Sequence, residues 1–390
     1  MWNLRRILDP IPVDEFLRAH WEKQPLLVKR EQRDWFAELL NTSDIDRVVA
    51  TYGLHHPDIQ MVSNAQPLPV ERYTYPSGLV DAARLFQEFA DGATIVLPQL
   101  HERLPALAAL CRSMEHEISV RFQTNIYFTP KTAQGFKTHF DSHDVFVLQI
   151  HGTKRWVIYD TPVQLPFRGH RFDPATVKPG AATMEFELRP GDMVYIPRGV
   201  MHDAYTNETE SLHITLGVLS TSWTDLLLEA VAMVGARDPA FREGLPVGFA
   251  TDGFDRGAAR ETFRELLRRI GDLADFDGAL EHFVDDLVSS RHALVPGQLE
   301  QVRRAESLSA DSMLGARPSV LHRVREGSDD VALECYGSTL RFPAHVAPAL
   351  RFALASASFR VRDLPGTLDD AGKIVLVRRL VREGILRVID

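Results

Sequence analysis

The sequence predicts a mainly β chain with helices, organised around a double-sheet jelly roll. Between residues 118 and 220, about eight short segments have the apolar pattern of strands, and turns containing Gly or Pro separate them. On both sides of that region, apolar residues instead recur at three- and four-residue intervals, as in amphipathic helices. The strands therefore form the middle of the fold and the helices surround it.

The region before the strands reads as an α-and-β lead-in that packs on the outside of the barrel. Its role is interpreted as completing the core. Asn41 to Asp44 has the composition of a helix boundary and is expected to end the second helix. The spacing predicts helices at residues 13–20, 35–41, 82–91 and 103–116, and a short strand at 26–29.

The first strand of the barrel has one apolar and one polar face. Residues 120, 122, 124, 126 and 128 form the apolar face, and the residues between them form the polar face. That polar face is either solvated or points into the barrel, where it would bind a polar ligand. Residues 144–150 are apolar on both faces, as expected for a strand buried between two layers. Further strands are predicted at 154–159, 184–188, 193–196, 200–206 and 211–219.

A loop at residues 161–183 interrupts the strands. It is rich in Pro, Gly and basic residues, among them Arg168, His170 and Arg171. Loops of this length without regular structure tend to be lids or binding loops. It is therefore either a cover for an entrance to the barrel or a long insertion.

Two stretches carry the pattern of a metal site. His139 and Asp141 are two residues apart, so on a strand their side chains project from one face. His202 ends a Gly-x5-Pro-x-Gly-x2-His element that begins at Gly191, and it can supply a third ligand. Two histidines and one carboxylate, with open positions opposite, form the ligand set of non-haem Fe(II) oxygenases. His143 shares the face of the first pair and is interpreted as lying beside the metal or at the surface.

These stretches resemble a known family. Residues 191–202 resemble the second conserved motif of cupin barrels, and residues 134–149 (QGFKTHFDSHDVFVLQ) resemble the metal-binding segment of JmjC-type 2-oxoglutarate oxygenases. The ribosomal-protein oxygenase branch is the most similar. The likeness continues in residues 10–17, in residues 21–27 and in a final helix-then-strand ending, so it covers nearly the whole chain. It implies a double-stranded β-helix, the JmjC barrel.

The resemblance also implies the cofactors and their contacts. Fe(II) would be held by the His139, Asp141 and His202 set, with 2-oxoglutarate as cosubstrate and O2 as oxidant. Lys154 matches the basic residue that pairs with the distal carboxylate of 2-oxoglutarate; the alternative is a surface lysine. Three further positions match cosubstrate contacts: Asn125, Tyr127 and Thr215.

Three regions are predicted. Residues 1–220 would be the JmjC/cupin catalytic domain with its lead-in, 221–305 a helical dimerisation region, and 306–390 a winged-helix-like module. The helical region either packs within the chain or, as the family implies, joins two copies in a homodimer, which is the preferred interpretation. Residues 301–390 contain 14 Lys and Arg against 11 Asp and Glu, too weak a balance for DNA binding.

The function implied is hydroxylation of an arginine or histidine side chain in a protein, a basic ribosomal protein by resemblance. Three alternatives remain open: a cupin metalloenzyme that does not use 2-oxoglutarate, a JmjC-like demethylase, and a non-catalytic binding scaffold. In a cupin metalloenzyme that does not use 2-oxoglutarate, Lys154 would have no role. The intact set of three metal ligands argues against the last.

Bulk properties are consistent with that class. The formal net charge of -9 provides no general basic field for nucleic acid. The start of the chain lacks the apolar core of a signal peptide, and no apolar run is long enough for a membrane helix. Cys111 and Cys335 are too few and too far apart for a disulfide framework. A cytoplasmic protein is expected.

Overall fold

The computed structural model is mainly β with helices, as predicted, and it describes residues 2–133, 137–170, 172–206, 208–318 and 320–389. The helices are α1 (Leu4–Leu8), α2 (Val13–Ala19), α3 (Thr42–Thr51), α4 (Ala82–Ala90), α5 (Pro105–Ile118), α6 (Trp223–Arg237), α7 (Arg256–Leu273), α8 (Phe276–Ser289), α9 (Gln298–Arg304), α10 (Ala347–Ala355) and α11 (Asp370–Arg382).

The strands are β1 (Leu26–Val28), β2 (Gln60–Ser63), β3 (Gln66–Pro67), β4 (Thr94–Pro98), β5 (Arg121–Thr129), β6 (Asp144–Gly152), β7 (Lys154–Ile158), β8 (Met184–Leu188), β9 (Met193–Ile196), β10 (His202–Tyr205), β11 (Ser211–Leu219), β12 (Met313–Ala316), β13 (His322–Glu326), β14 (Asp330–Cys335), β15 (Ser338–Pro343), β16 (Phe359–Arg360) and β17 (Leu386–Val388). Gln134 to Phe136 of the metal-binding stretch and Arg171 of the long loop lie outside the described residues.

The chain divides into two compact units. The first contains residues 1–220, 293–320 and 348–390, and the second contains residues 221–292 and 321–347. Both units are thus assembled from segments that are separate in the sequence. The division into three sequence domains stays a prediction.

Two antiparallel sheets of the first unit form the predicted jelly roll. Within the described residues, the larger sheet has eight strands in the order β1-β9-β6-β11-β5-β4-β2-β3, and the smaller has the order β10-β7-β8. Apolar side chains of β6, β7, β8 and β9 form one buried cluster that fills part of the space between the sheets. The predicted double-sheet jelly roll is confirmed.

The other face of the larger sheet packs against the lead-in helices. The ring centroid of Phe16 on α2 lies 5.6 Å from that of Phe146 on β6 and 4.9 Å from that of Tyr195 on β9. Val145 and Val147, by contrast, face the smaller sheet. Strand β6 is therefore buried on both faces, which explains its continuous apolar pattern.

The helix predicted at residues 35–41 is wrong, because residues 33–39 form turns and α3 begins at Thr42. Asn41 is the N-cap of α3. Its side chain accepts a hydrogen bond from the Asp44 amide at 3.0 Å, and the Asp44 carboxylate accepts one from the Asn41 amide at 3.1 Å. This reciprocal arrangement, the capping box, marks where a helix starts rather than where it ends.

A buried ionic network fixes the turn before β10. Arg198 Nη1 lies 2.6 Å from both Asp144 Oδ2 and Glu22 Oε1. The hydroxyl of Tyr195 donates to Asp144 Oδ1 at 2.9 Å. Asp144 is fully buried, and a buried carboxylate is tolerated when charge and hydrogen bonds satisfy its oxygens. The network therefore ties the lead-in, β6 and the Pro-Arg-Gly turn together.

The second unit contains α6, α7 and α8 and the sheet β13-β14-β15. Arg323 on β13 donates to Asp285 at 2.9 Å and also pairs with Glu281, both on α8. In the first unit, β12 lies between β16 and β17. The winged-helix interpretation of the C-terminal region stays a prediction. Every helix in the described part of the chain is too short or too polar to cross a membrane.

Gly191 should be intolerant of a side chain, because its φ is +88° and a Cβ atom there would lie 2.2 Å from the Gln32 carbonyl oxygen. We expect Gly191→Ala to lower the free energy of unfolding by about 3–5 kcal/mol, from left-handed strain plus overlap. Gly53→Ala is the matched control, since Gly53 also has a positive φ but nothing within 4 Å. Gly53→Ala should lower the free energy of unfolding by only about 1–2 kcal/mol. Equal losses in chemical unfolding experiments would contradict this explanation.

Candidate metal centre

Two backbone hydrogen bonds bring the histidines of the metal motifs together. The amide of His139 donates to the carbonyl of His202 at 3.0 Å, and the amide of His202 donates to the carbonyl of His139 at 2.8 Å. Residues paired in this way project their side chains to the same side of an antiparallel ladder. The two imidazole centroids are accordingly 4.6 Å apart.

Asp141 completes the cluster. Its Oδ1 lies 3.8 Å from His139 Nε2, and its Oδ2 lies 3.6 Å from His202 Nε2. One ligand atom from each of the three residues lies within 4.8 Å of the others, and no second group of this kind occurs among the described residues. The Asp141 carbonyl accepts from the Gly199 amide at 2.9 Å. The predicted ligand set therefore converges, and the Pro-Arg-Gly turn supports it.

Hydrogen bonds set the tautomers of both histidines. His139 Nδ1 lies 2.7 Å from the Lys137 carbonyl, and His202 Nδ1 lies 3.0 Å from the Val200 carbonyl. Because a carbonyl only accepts, each Nδ1 carries the proton. In both rings the nitrogen nearer to Asp141 is then Nε2, which is the atom that would bind a metal.

The charge states of the cluster residues are suited to binding a cation. Burial lowers the pKa of His202 to about 4, and His139 contributes in the same direction, so His202 is neutral near pH 7. For Asp141, burial acts to raise the pKa, but the neighbouring histidines outweigh burial and lower it. The cluster thus presents a neutral nitrogen at His202 and an anionic oxygen at Asp141.

A cavity opens beside the cluster. Besides the three cluster residues, it is lined by Tyr127, Val145, Val147, Lys154, Trp156, Ala204, His213 and Thr215. Lys154 is 5% exposed, and its Nζ donates to Thr129 Oγ1 at 3.3 Å. No carboxylate pairs with it among the described residues, and burial lowers its pKa to about 7. An ammonium in this position is suited to an anionic ligand.

Three of the four predicted cosubstrate residues line this cavity: Lys154, Tyr127 and Thr215. Asn125 does not belong to the lining of the described cavity. It lies opposite Thr215 in the β5–β11 ladder, and its Oδ1 accepts from the Gln99 amide at 3.4 Å. Its predicted contact with the cosubstrate stays a prediction.

His143 is not part of the three-residue cluster. Its ring lies over Gly217, where a Cβ atom would come within 2.9 Å of His143 Cδ2. It is close enough to Asp141 to contribute to the lowered pKa of that carboxyl. Whether His143 acts beside the metal or as a surface residue stays a prediction.

Sequence reasoning missed His213 and Trp156 as cavity residues. His213 lies on β11 among mostly apolar residues, and Trp156 on β7 is itself a largely apolar side chain, so the sequence pattern assigns both to the core. The available signal was the interval of two between His213 and Thr215, which places both side chains on one face of β11. Lys154 and Trp156 have the same interval on β7.

Comparisons with known proteins agree with the fold and with the motifs. Residues 99–226 match the family model described as the JmjC domain. Ribosomal oxygenase 1 of Rattus norvegicus is 30% identical, over 77% of this chain and 53% of the relative. Ribosomal oxygenase 2 of Bos taurus is 28% identical, over 98% of this chain and 90% of the relative.

A third relative is the bifunctional lysine-specific demethylase and histidyl-hydroxylase NO66 of Drosophila persimilis, which is 26% identical over 99% of this chain and 62% of the relative. The chain thus spans about half to two thirds of the length of several of these relatives.

The solved structures include YcfD, a ribosomal oxygenase from Escherichia coli, in complex with cobalt and 2-oxoglutarate. It superposes with a TM-score of 0.56 at 18% identity, over 98% of this chain and 99% of that one. This similarity establishes a shared fold. The family model and the relatives confirm the resemblance to JmjC-type oxygenases of the ribosomal oxygenase branch, with residues 99–226 matching the JmjC domain.

Proposed function

We propose that the protein is an Fe(II)- and 2-oxoglutarate-dependent oxygenase that hydroxylates an arginine or histidine side chain of a ribosomal protein. One observation carries the proposal. A single cavity contains both the His139, Asp141 and His202 cluster and the buried ammonium of Lys154. The cluster is suited to binding a metal ion, and the ammonium is suited to binding the far carboxylate of a dicarboxylate.

The cluster fits Fe(II) by its chemistry. Two neutral imidazoles and one carboxylate on one side of an ion form the facial set of non-haem iron oxygenases, and the cavity provides room on the other side. Fe(II), with O2 and 2-oxoglutarate, supplies the oxidising power of the reaction. The chain supplies the ligand geometry, the hydrogen bonds that orient the imidazoles and a cavity beside the ligands.

The polar residues of the cavity would orient the cosubstrate. Lys154 pairs with the distal carboxylate, and Thr215 offers a hydroxyl on the facing strand. Burial raises the pKa of Tyr127 well above its usual range, so its hydroxyl stays neutral and remains a hydrogen-bond donor. A cosubstrate held at both ends has a fixed position relative to the metal, which a directed oxidation needs.

The names of the relatives support a ribosomal protein as the substrate, and the net charge of -9 is compatible with a basic partner. One relative is named both a histidyl hydroxylase and a lysine demethylase. We retain hydroxylation of arginine or histidine, which adds one oxygen to the substrate, whereas demethylation releases formaldehyde. The cytoplasm, where a reducing medium keeps iron as Fe(II), is the proposed location.

Release of succinate from 2-oxoglutarate by purified protein with Fe(II) under air should depend on the cluster. We expect His202→Ala and Asp141→Ala to reduce turnover by at least about 100-fold, because each removes a ligand. His151→Ala is the matched control, since His151 is an exposed residue of β6 outside the cavity. Ribosomal-protein fragments that stimulate turnover would identify the substrate. Wild-type rates in both ligand variants would refute the proposal.

Binding of 2-oxoglutarate should weaken as the pH rises. The pKa of Lys154 is about 7, so below that pH the ammonium is charged and above it the free protein loses the charge. With Mn(II) saturating, Kd measured by calorimetry should rise towards about tenfold per pH unit between pH 7 and 9. Lys154→Met should raise Kd roughly 100-fold at pH 6.5 and remove this dependence. A wild-type Kd independent of pH would contradict the role of Lys154.

We also propose that the helices of the second unit mediate a homodimer. Helix α7 has no buried residue, although it is amphipathic. Phe263 and Leu267, one turn apart on it, are 62% and 52% exposed. Large apolar side chains along one stripe of a helix favour contact with another protein surface, and the same surface of a second copy satisfies both partners.

Sedimentation should therefore detect a dimer of the wild-type chain at micromolar concentration. The double variant Phe263→Asp and Leu267→Asp should be monomeric, because two carboxylates would have to be desolvated in the interface. Leu299→Asp on α9, where Leu299 is 70% exposed, is the control and should remain dimeric. A monomeric wild type, or a dimeric double variant, would exclude this interface.

A further inference from the structure

His213 lines the same cavity as Lys154, but none of the hydrogen bonds described above involves its ring nitrogens. The residue is 3% exposed and lines the cavity. Its Nδ1 atom is buried and has no hydrogen-bond partner among the described residues. Buried polar atoms are nearly always paired, so an unpaired ring nitrogen at a ligand cavity requires an explanation.

The position of the ring is well determined by its neighbours. It stacks on Tyr127 with centroids 5.1 Å apart and planes 16° apart, and it meets Trp156 edge to face at 5.9 Å. The β6–β11 ladder also has a register shift between Leu212 and His213, so that Ile150 has no partner in the ladder. Such bulges re-aim side chains and are frequent next to active sites.

The charge state of His213 complements Lys154. Burial, and after it the charge of Lys154, lowers the pKa of His213 well below its usual value. The imidazole is therefore neutral and carries one N–H donor and one lone pair. Beside an ammonium, a second cation would be repelled, but a neutral donor can add a hydrogen bond to an anion that the ammonium attracts.

We propose that His213 is a cosubstrate-binding residue that, together with Lys154, holds the distal carboxylate of 2-oxoglutarate. Lys154 contributes the charge, and a ring N–H of His213 donates a hydrogen bond to the same carboxylate. This inference rests on the proposed function, and it extends that function to selectivity: a 2-oxoacid without a distal carboxylate gains nothing from His213.

The test is calorimetric titration of the Mn(II)-loaded protein, without oxygen, with 2-oxoglutarate and separately with pyruvate. His213→Phe keeps an aromatic ring for the stack on Tyr127 but lacks a donor. We expect it to raise Kd for 2-oxoglutarate about tenfold or more and to leave Kd for pyruvate unchanged. His213→Gln retains an N–H donor and should recover most of the loss. His151→Phe, on the exposed residue, is the control and should bind both acids as the wild type does.

Three outcomes would overturn the inference. The first is a wild-type Kd for 2-oxoglutarate in His213→Phe. The second is an equal loss for both acids, which would make His213 a packing residue under Tyr127. If the phenylalanine variant does not fold, His213→Leu replaces it under the same criteria. The third is failure of the wild-type protein to bind 2-oxoglutarate. This outcome would overturn the proposed function itself. It can be distinguished from the first two outcomes because it is observed without any variant.

Discussion

The reciprocal backbone hydrogen bonds between His139 and His202 are the contact on which the rest of the site depends. They join a segment that precedes β6 to the first residue of β10, sixty-odd positions apart in sequence. Since β6 lies in the larger sheet and β10 in the smaller, this contact links the two sheets at one edge of the cavity. Asp141, two residues further along, is then carried to within 4 Å of both rings.

Burial away from water affects the titratable groups at both ends of the cavity. At the metal end, it keeps His202 neutral near pH 7, so that its Nε2 lone pair is available to a cation. At the other end, it weakens the hold of Lys154 on its proton until an anion arrives. Under the proposed function, a dicarboxylate bound between the metal and the ammonium would offset the unfavourable burial of Lys154.

The strands of the jelly roll could be predicted closely because alternation and turn residues mark them. The boundaries predicted at 184–188, 193–196 and 211–219 agree with β8, β9 and β11. Helix α3 was missed because Asn41 to Asp44 can be taken for either end of a helix, and only the hydrogen bonds decide between them. His213 was missed because its role depends on which residues of β5 and β7 face it, and strand pairing is a long-range property.

A crystal structure of the protein with Mn(II) and 2-oxoglutarate, grown without oxygen, would test the central claim most directly. The account predicts one ion bonded to His139, Asp141 and His202, chelated by the oxoacid end of the ligand, with the distal carboxylate beside Lys154 and His213. An ion held by other residues, or a ligand whose distal carboxylate points away from Lys154, would contradict it.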